Sequence, residues 1–327
     1  MMIRTRILAT AMGLLLGAPL QAAPAATVGQ SPWGPQDELG ALNLMTDASR
    51  AAILSRVAGG EAYDLSVEYF IGMPGWHAAG DPRYQMWMTH TPRGTVNSDP
   101  MHLGEEINAH VSYTGSAISM YAHTGTHIDA LNHFGLNGKI YNGFSADDHL
   151  GDAGWNVTGA ETIPPIIARG VLIDVAGAKG LSMLTDNYRI TRADLEQALA
   201  HQDVTLQQGD VVLIRTGRMA NYEDADAYMT AAPGMGMEAA RFLAEESGAM
   251  IIGADNLSFE AFPSEIEGNY VPLHTYLLAQ QGVPIMELVY LEDLAAKGIY
   301  EFAFIGGSLK LRGGDAAPMR PIALPIK

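Results

Sequence analysis

Residues 123–133 read HTGTHIDALNH, and this stretch holds three of the ten histidines of the chain together with Asp129. Imidazole nitrogens and carboxylate oxygens are the ligands that borderline divalent metals prefer. A catalytic metal site usually takes about three protein ligands and leaves one position open for water. The stretch therefore predicts a divalent metal site with one further histidine beside it for proton transfer.

The spacing within this stretch favours an extended chain over a helix. His123 and His127 would share one helix face, but glycine, threonine and isoleucine between and after them are poor helix formers. In a strand, alternate side chains point the same way, so His123, His127 and Asp129 would lie on one face. Gly125 would then leave room for a metal between the two histidines. We predict a strand over residues 123–129, followed by a short loop to His133.

Outside this stretch, strand and helix patterns alternate. Apolar positions predict a helix over residues 41–58, and Thr191 predicts the start of a second helix that runs to about residue 200. Residues 71–105 read as a long irregular segment, of the kind that usually carries function, and residues 111–120 as a strand leading into the metal stretch. The pattern predicts a mixed α/β fold with one domain over residues 26–327.

Composition excludes several classes of function. The formal net charge of −17 argues against nucleic acid or an anionic membrane surface as a partner. The chain has no cysteine, which excludes disulfides, zinc–thiolate sites and a cysteine nucleophile. The Gly-Xaa-Ser-Xaa-Gly nucleophile motif, the phosphate-binding loop and the glycine fingerprint for dinucleotides are also missing from the sequence. We therefore expect a small molecule as the partner of the predicted metal site.

The first 25 residues have the pattern of a secretory signal peptide. Arg4 and Arg6 precede an apolar run over residues 7–20, and small residues follow up to Ala25. The apolar run is short for a membrane span, although a retained anchor is the alternative. The sequence predicts a periplasmic or secreted protein with no stable membrane association after the signal peptide is removed.

The histidine-rich stretch resembles the signature of the metal-dependent cyclase family, His-Xaa-Gly-Thr-His-Xaa-Asp followed by Xaa3-His. That family includes bacterial kynurenine formamidases and isatin hydrolases. Residues 169–175 and 209–217 resemble two of its central strands, so that the likeness covers roughly residues 31–325. Kynurenine formamidases usually carry Ala-Pro after the aspartate, whereas this chain has Ala130 and Leu131, which favours the longer, isatin-hydrolase-like branch. The resemblance implies a swivelling β/β/α fold in a single domain.

The resemblance also implies a set of metal ligands. His123, His127 and Asp129 correspond to the primary ligands of the family. His274 and Glu287 resemble the residues that complete a second metal position in binuclear formamidases; around a single metal they would instead support its ligands. Such nitrogen and oxygen ligands suit manganese or zinc, and iron remains open.

His133 is the candidate general acid and base, because a histidine pKa near neutrality allows one side chain to accept and return a proton. Its alternative role is that of a third imidazole ligand or of a hydrogen-bond donor to the metal site. Trp76 and Trp87 lie in the irregular segment, where they are candidates to wall an aromatic substrate pocket. Alternatively, their rings pack in the core or at a dimer interface, and we expect a homodimer or higher homo-oligomer.

The interpretation that follows is a metal-dependent hydrolase that opens a cyclic amide or cleaves a small amide, most simply an aromatic, isatin-like one. An arylformamidase acting on N-formylkynurenine is the alternative, and a lactonase or cyclase is a third. A periplasmic protein that only binds a metal or a small molecule is the non-enzymatic alternative, and His133 argues against it because a binding site needs no proton-transfer group.

Overall fold

Fifteen strands and ten α-helices make up residues 26–327, the part of the chain described by this computed structural model. The predicted signal peptide, residues 1–25, lies outside the described residues. The strands are β1 (Tyr63–Asp64), β2 (Gln85–His90), β3 (Gly115–Ser119), β4 (His127–Asp129), β5 (Leu150–Gly151), β6 (Gly154–Trp155), β7 (Ile166–Asp174), β8 (Arg189–Ile190), β9 (Val211–Arg215), β10 (Gly234–Met235), β11 (Ile251–Ala254), β12 (Ile285–Glu287), β13 (Glu301–Gly306), β14 (Ala316–Pro318) and β15 (Ile322–Pro325). The α-helices are α1 (Asp47–Ser55), α2 (Pro92–Ser98), α3 (Glu105–Ala109), α4 (Ala146–His149), α5 (Val175–Ala178), α6 (Arg192–Gln202), α7 (Ala225–Met229), α8 (Met237–Arg241), α9 (Pro272–His274) and α10 (Glu292–Lys297).

Nine of these strands form one mixed sheet, in the order β1-β15-β13-β7-β9-β11-β12-β4-β14. The central strands β7, β9, β11 and β12 run parallel, and the strands on both flanks are antiparallel to their neighbours. Parallel strands are normally covered on both faces, and every residue of β9, β11 and β12 is buried accordingly. The predicted mixed α/β class is confirmed.

The core is built on those central strands, and helices α1, α6 and α10 contact β7. Val171, Leu172, Val212 and Leu213 are completely buried. Among residues 26–327, no helix combines the length and the apolar character that crossing a membrane requires.

Local capping explains where two predicted helices begin. The side chain of Thr191 accepts a hydrogen bond from the backbone N–H of Asp194, and the carboxylate of Asp194 accepts one from the backbone N–H of Thr191. α6 starts there as predicted. The helix predicted over residues 41–58 is wrong at both ends: a 3₁₀ helix covers Gly40–Leu44, and α1 spans only Asp47–Ser55. Thr46 forms a second capping box there, which starts a new helix and interrupts the predicted one.

Residues 71–105 are not the irregular segment that the sequence predicts, because they contain β2, α2 and the start of α3. The predicted strand over residues 111–120 is shorter, and as β3 it pairs with β2 in a separate antiparallel ribbon. Every residue of β2 is exposed, so the polar and apolar alternation that signals a half-buried strand is missing. We call residues 85–119 the arm.

Candidate active site

The histidine-rich stretch lies near one edge of the central sheet, where β4 has β12 on one side and the edge strand β14 on the other. His127 and Asp129 project from the same face of β4, while His123 comes from the preceding turn, so the predicted strand over residues 123–129 is too long by four residues. Gly125 adopts a φ of +66°, and a Cβ on it would meet the ring of Tyr69 at 2.4 Å. Its missing side chain therefore makes room for Tyr69, and not for a metal as predicted.

Three of the predicted ligands lie together and are buried. His123 Nδ1 lies 2.8 Å, and His127 Nε2 3.4 Å, from Asp129 Oδ1. His127 Nδ1 donates a hydrogen bond of 2.7 Å to the carbonyl oxygen of Gly125. Because a carbonyl can only accept, this bond leaves Nε2 of His127 free to act as a ligand.

His274 and Glu287 are distant from β4 in sequence, but they lie beside the same residues, His127 and Asp129. Glu287 ends β12 directly opposite His127 of β4, and its Oε2 lies 3.5 Å from His127 Nε2. His274 Nε2 is 3.5 Å from Glu287 Oε1 and 3.8 Å from Asp129 Oδ2. The structure thus places all five predicted ligand residues in one buried cluster, with Asp129 between two histidine groups.

Glu260, which the sequence analysis did not single out, orients His274. Its Oε1 accepts a 2.7 Å hydrogen bond from His274 Nδ1, and its carboxylate also receives the backbone N–H groups of Leu273 and His274. The ring of His274 is therefore held with Nε2 towards Asp129 and Glu287. Glu260 belongs to no recognisable motif, so that only the folded chain reveals its position.

The cluster has the unpaired donors and acceptors expected of a metal site. His123 Nε2, His127 Nε2, both carboxylate oxygens of Asp129 and Oε1 of Glu287 are buried without a hydrogen-bond partner. Leaving such groups unpaired costs about 1–3 kcal/mol each, and more where they are charged. The ligand atoms of the cluster form two groups within 4.8 Å, His123–His127–Asp129 and Asp129–His274–Glu287, and a third group joins His123 to His133 and Asp315. These nitrogen and carboxylate donors fit one or two divalent metals, with Asp129 shared.

The electrostatic field of the cluster favours cations. Burial by itself would lower the histidine pKa values, but the carboxylate of Asp129 raises the pKa of His123 to about 10. Burial would also lower the pKa of His274, but the hydrogen bonds to Glu260 and Glu287 raise this pKa to about 10. The buried carboxylates therefore attract positive charge into the cluster.

His133 lies beside this cluster, at the turn after β4. Its ring centroid is 4.1 Å from that of His123, and its Nδ1 is 3.6 Å from Asp315 Oδ2, just before β14. Burial lowers the pKa of His133, in spite of the opposing charge of Asp129. A neutral imidazole near pH 7 is suited to accept a proton. Asp315 is a second residue that the sequence analysis missed; it also lies 3.5 Å from His123 Nε2.

A cavity of 420 Å³ opens above His123, His133, His274 and Glu287. Its remaining lining residues are Trp76, Ala79, Asp81, Tyr121, Phe134, Ser258, Phe262, Tyr270 and Val271. Aromatic rings dominate this wall, and none of the lining residues is a lysine or an arginine. Trp76 therefore stands where the sequence predicts it, packed edge-to-face against Phe262 at 6.2 Å. Trp87 does not line the cavity, because β2 carries it on the exposed arm.

Solved structures of cyclase-like proteins resemble this chain over most of its length. The structure of a novel cyclase is 28% identical and superposes with a TM-score of 0.80, covering 91% of this chain and 100% of its own. Isatin hydrolase A from Ralstonia solanacearum is 20% identical, with a TM-score of 0.61 and coverage of 81% and 92%. An isatin hydrolase bound to the product analogue thioisatinate is also 20% identical, with a TM-score of 0.60 and coverage of 86% and 100%. None of the curated proteins compared with the chain matches it significantly.

Fold and site together define a mixed α/β protein with a buried histidine–carboxylate centre, suited to a divalent metal, beneath an aromatic cavity. The model of the Cyclase family ("Putative cyclase") matches residues 63–261, which is more than half of the chain. The chain belongs to this family, as its histidine-rich stretch predicts, and its fold is that of the solved cyclase structure.

Proposed function

We propose that this protein is a metal-dependent hydrolase that adds water to the amide bond of a small, neutral aromatic substrate, with a cyclic, isatin-like amide as the first choice. The observation that carries the proposal is the group of unpaired buried ligand atoms on His123, His127, Asp129 and Glu287. Of these residues, His123 and Glu287 line an aromatic cavity. His133, which lines the same cavity, supplies the group that moves protons. The fold is shared with isatin hydrolases, which supports the same class of reaction.

The ligand residues divide into two sets around Asp129, and manganese or zinc suits both. A divalent metal held by these residues would lower the pKa of its water molecule towards about 7 and would polarise the carbonyl of the substrate. Glu260 keeps His274 Nε2 directed at the ligand set, and the backbone of Gly125 does the same for His127. The protein therefore holds its ligands in place before the metal binds.

His133 moves the protons in the proposed reaction. Its neutral ring accepts a proton as water adds to the carbonyl carbon, and the carboxylate of Asp315, 3.6 Å from Nδ1, stabilises the imidazolium that forms. His133 then returns the proton to the leaving nitrogen as the carbon–nitrogen bond breaks. One water molecule is consumed, and the products are a carboxylic acid and an amine, which remain in one molecule when the substrate is a ring.

The charge of the cavity wall favours a neutral substrate over N-formylkynurenine. That amino acid carries a carboxylate, for which the lining residues offer no lysine or arginine. The rings of Trp76, Tyr121 and Phe134 instead offer flat apolar surfaces to a flat substrate. The arylformamidase reaction is therefore the second candidate.

A paired measurement tests the proposal. The metal content of the purified protein is determined by elemental analysis, and the metal-loaded protein is assayed for hydrolysis of isatin, N-formylkynurenine and simple lactones. We expect bound manganese or zinc and turnover fastest on isatin. Binding of one ligand equivalent without any product would identify a binding protein instead, and turnover of N-formylkynurenine alone would favour the arylformamidase.

We further propose that residues 1–25 direct export and are then removed. The argument is the basic and apolar sequence of the segment. Sequencing of the mature protein from its own host should give an amino terminus between Ala23 and Thr27, in the fraction outside the cytoplasm. A mature chain that begins at Met1 would contradict export by cleavage.

A further inference from the structure

The wall of the cavity contains one carboxylate that belongs to neither group of candidate ligands. Asp81 lines the cavity just before β2 begins, and its side chain is partly buried. Within residues 26–327, this carboxylate forms no ion pair and accepts no hydrogen bond from another residue. A charge that is removed from water normally has a partner, because its desolvation is costly. The charge of Asp81 therefore acts on whatever molecule occupies the cavity.

The other charges around the cavity do not offset that of Asp81. None of the lining residues is a lysine or an arginine. The carboxylates of Asp129 and Glu287 would balance the charge of one divalent ion, and a histidine that binds an ion through a ring nitrogen is neutral. Among the lining residues, the negative charge of Asp81 is thus left without a counter-charge.

The field of Asp81 extends to the aromatic wall beside the candidate ligands. Burial is the main cause that raises the pKa of the Tyr121 hydroxyl, and the charge of Asp81 is the next. The ring of Tyr121 stacks on that of His123, with 4.7 Å between the ring centroids. The charge of Asp81 is therefore felt in the part of the cavity that adjoins the candidate metal ligands.

We propose that Asp81 determines the specificity of the cavity for neutral over anionic ligands, and that it thereby distinguishes the substrate from the product. The second half of this inference rests on the proposed hydrolysis, which converts a neutral amide into a carboxylic acid that is ionised near pH 7. Specificity can arise from repulsion of the wrong ligand as well as from attraction of the right one. Asp81 repels the carboxylate of the product and leaves the binding of the neutral substrate unchanged, so that the product departs from the cavity.

The expected size of this effect follows from the electrostatic interaction of two unit charges. At an effective dielectric constant of about 20 and a separation of about 10 Å, this interaction changes a binding constant on the order of tenfold. An effect of this size is measurable and does not require direct contact between Asp81 and the ligand.

Binding of two ligands with the same aromatic ring tests the proposal. Benzoate carries a carboxylate and benzyl alcohol does not, and neither contains an amide bond. Both are titrated into the purified wild type, into Asp81→Asn, and into Asp152→Asn, which makes the same change at an exposed turn outside the cavity. We expect Asp81→Asn to bind benzoate about tenfold more tightly than the wild type, and benzyl alcohol with the same affinity. Asp152→Asn should bind both ligands as the wild type does.

Asp81→Lys provides a second variant, in which the charge is reversed. Benzoate should bind to it more tightly than to Asp81→Asn, again without a change for benzyl alcohol. A purely structural role of Asp81 would instead alter the binding of both ligands to the same extent. Benzoate that binds the wild type as tightly as both variants, or that binds to none of the three proteins, would overturn the proposal.

Product inhibition distinguishes a failure of this inference from a failure of the proposed function. The ring-opened carboxylate of isatin should inhibit Asp81→Asn about tenfold more strongly than the wild type, while KM for isatin stays the same. Hydrolysis of isatin with equal product inhibition in both proteins would refute the role of Asp81 and leave the hydrolase intact. Tighter binding of benzoate to Asp81→Asn without any hydrolysis of isatin would refute the proposed substrate and leave the charge selection by Asp81 intact.

Discussion

Strands β4 and β2 are both short and carry residues that the sequence marks out, yet their surroundings are opposite. Every residue of β4 is buried between β12 and β14, whereas every residue of β2 is exposed and pairs only with β3. The candidate ligands of β4 are therefore positioned by the core of the sheet. The side chains of β2 receive no such support from the rest of the described chain. Substitutions in the two regions should differ accordingly.

The largest effect is expected at the centre of β4. His127→Ala removes the nitrogen between Asp129 and Glu287, so bound metal should fall well below one equivalent and hydrolysis should be lost. Elemental analysis checks this, with His201→Ala on the exposed side of α6 as the control that should keep both properties. Full metal occupancy in the His127→Ala protein would show that this residue is not a ligand.

A smaller effect is expected at His133, which lies beside the cluster of candidate ligands. His133→Ala should retain the metal but lower turnover by about two to four orders of magnitude, the usual contribution of a general acid and base. Elemental analysis and steady-state kinetics on the same preparation separate the two properties. Loss of metal together with turnover would make His133 a ligand, and unchanged turnover would assign the proton transfer to another group.

Glu260→Gln tests whether the hydrogen bond from His274 to Glu260 positions His274 for metal binding. The substituted amide keeps a hydrogen-bond acceptor for His274 but removes the buried charge, so the affinity for a metal bound by His274 should fall about 10–100-fold. A calorimetric titration with the metal measures this affinity, and Glu267→Gln at an exposed site is the control. Equal affinities in Glu260→Gln and wild type would show that Glu260 only supports the fold.

The smallest effect is expected when the tryptophans are removed. The comparison is between Trp76, which lines the cavity, and Trp87, which lies on the arm. Trp76→Ala should raise KM for isatin about two- to tenfold, since one aromatic contact contributes about 0.5–1.5 kcal/mol. KM for an aliphatic lactone should change less. Trp87→Ala should leave KM for both substrates unchanged, because its ring does not line the cavity. A selective rise of KM for isatin with Trp87→Ala would show that this ring contacts the substrate.

Local sequence patterns predicted the parts of the site that the chain builds from neighbouring residues. Two of the ligands, His127 and Asp129, are two residues apart, so the strand period alone puts them on one face. Glu260 and Asp315 could not be found in this way, because each reaches its histidine only through the sheet and the turns that connect it. Residue spacing carries no information about such contacts until the strand order is known.

The difference between local and long-range contacts also explains which parts of the fold were predicted wrongly. The start of α6 was readable because a capping box is a contact between residues three apart. The ribbon of the arm was missed because strand periodicity records which face meets the core, and β2 meets none. Gly125 was assigned to the metal, although Tyr69, which occupies the space beside it, lies 56 positions earlier in the chain.

The order of strands around β4 has a consequence for the time at which the centre forms during synthesis. β4 leaves the ribosome well before its two neighbours in the sheet, β12 and β14. A growing chain that ends before Glu287 has the histidines of residues 123–133 without the carboxylate and the strand that enclose them. Tight binding of the proposed metal therefore has to wait until β12 and β14 have joined the sheet, and the ion is acquired in the compartment where they do so.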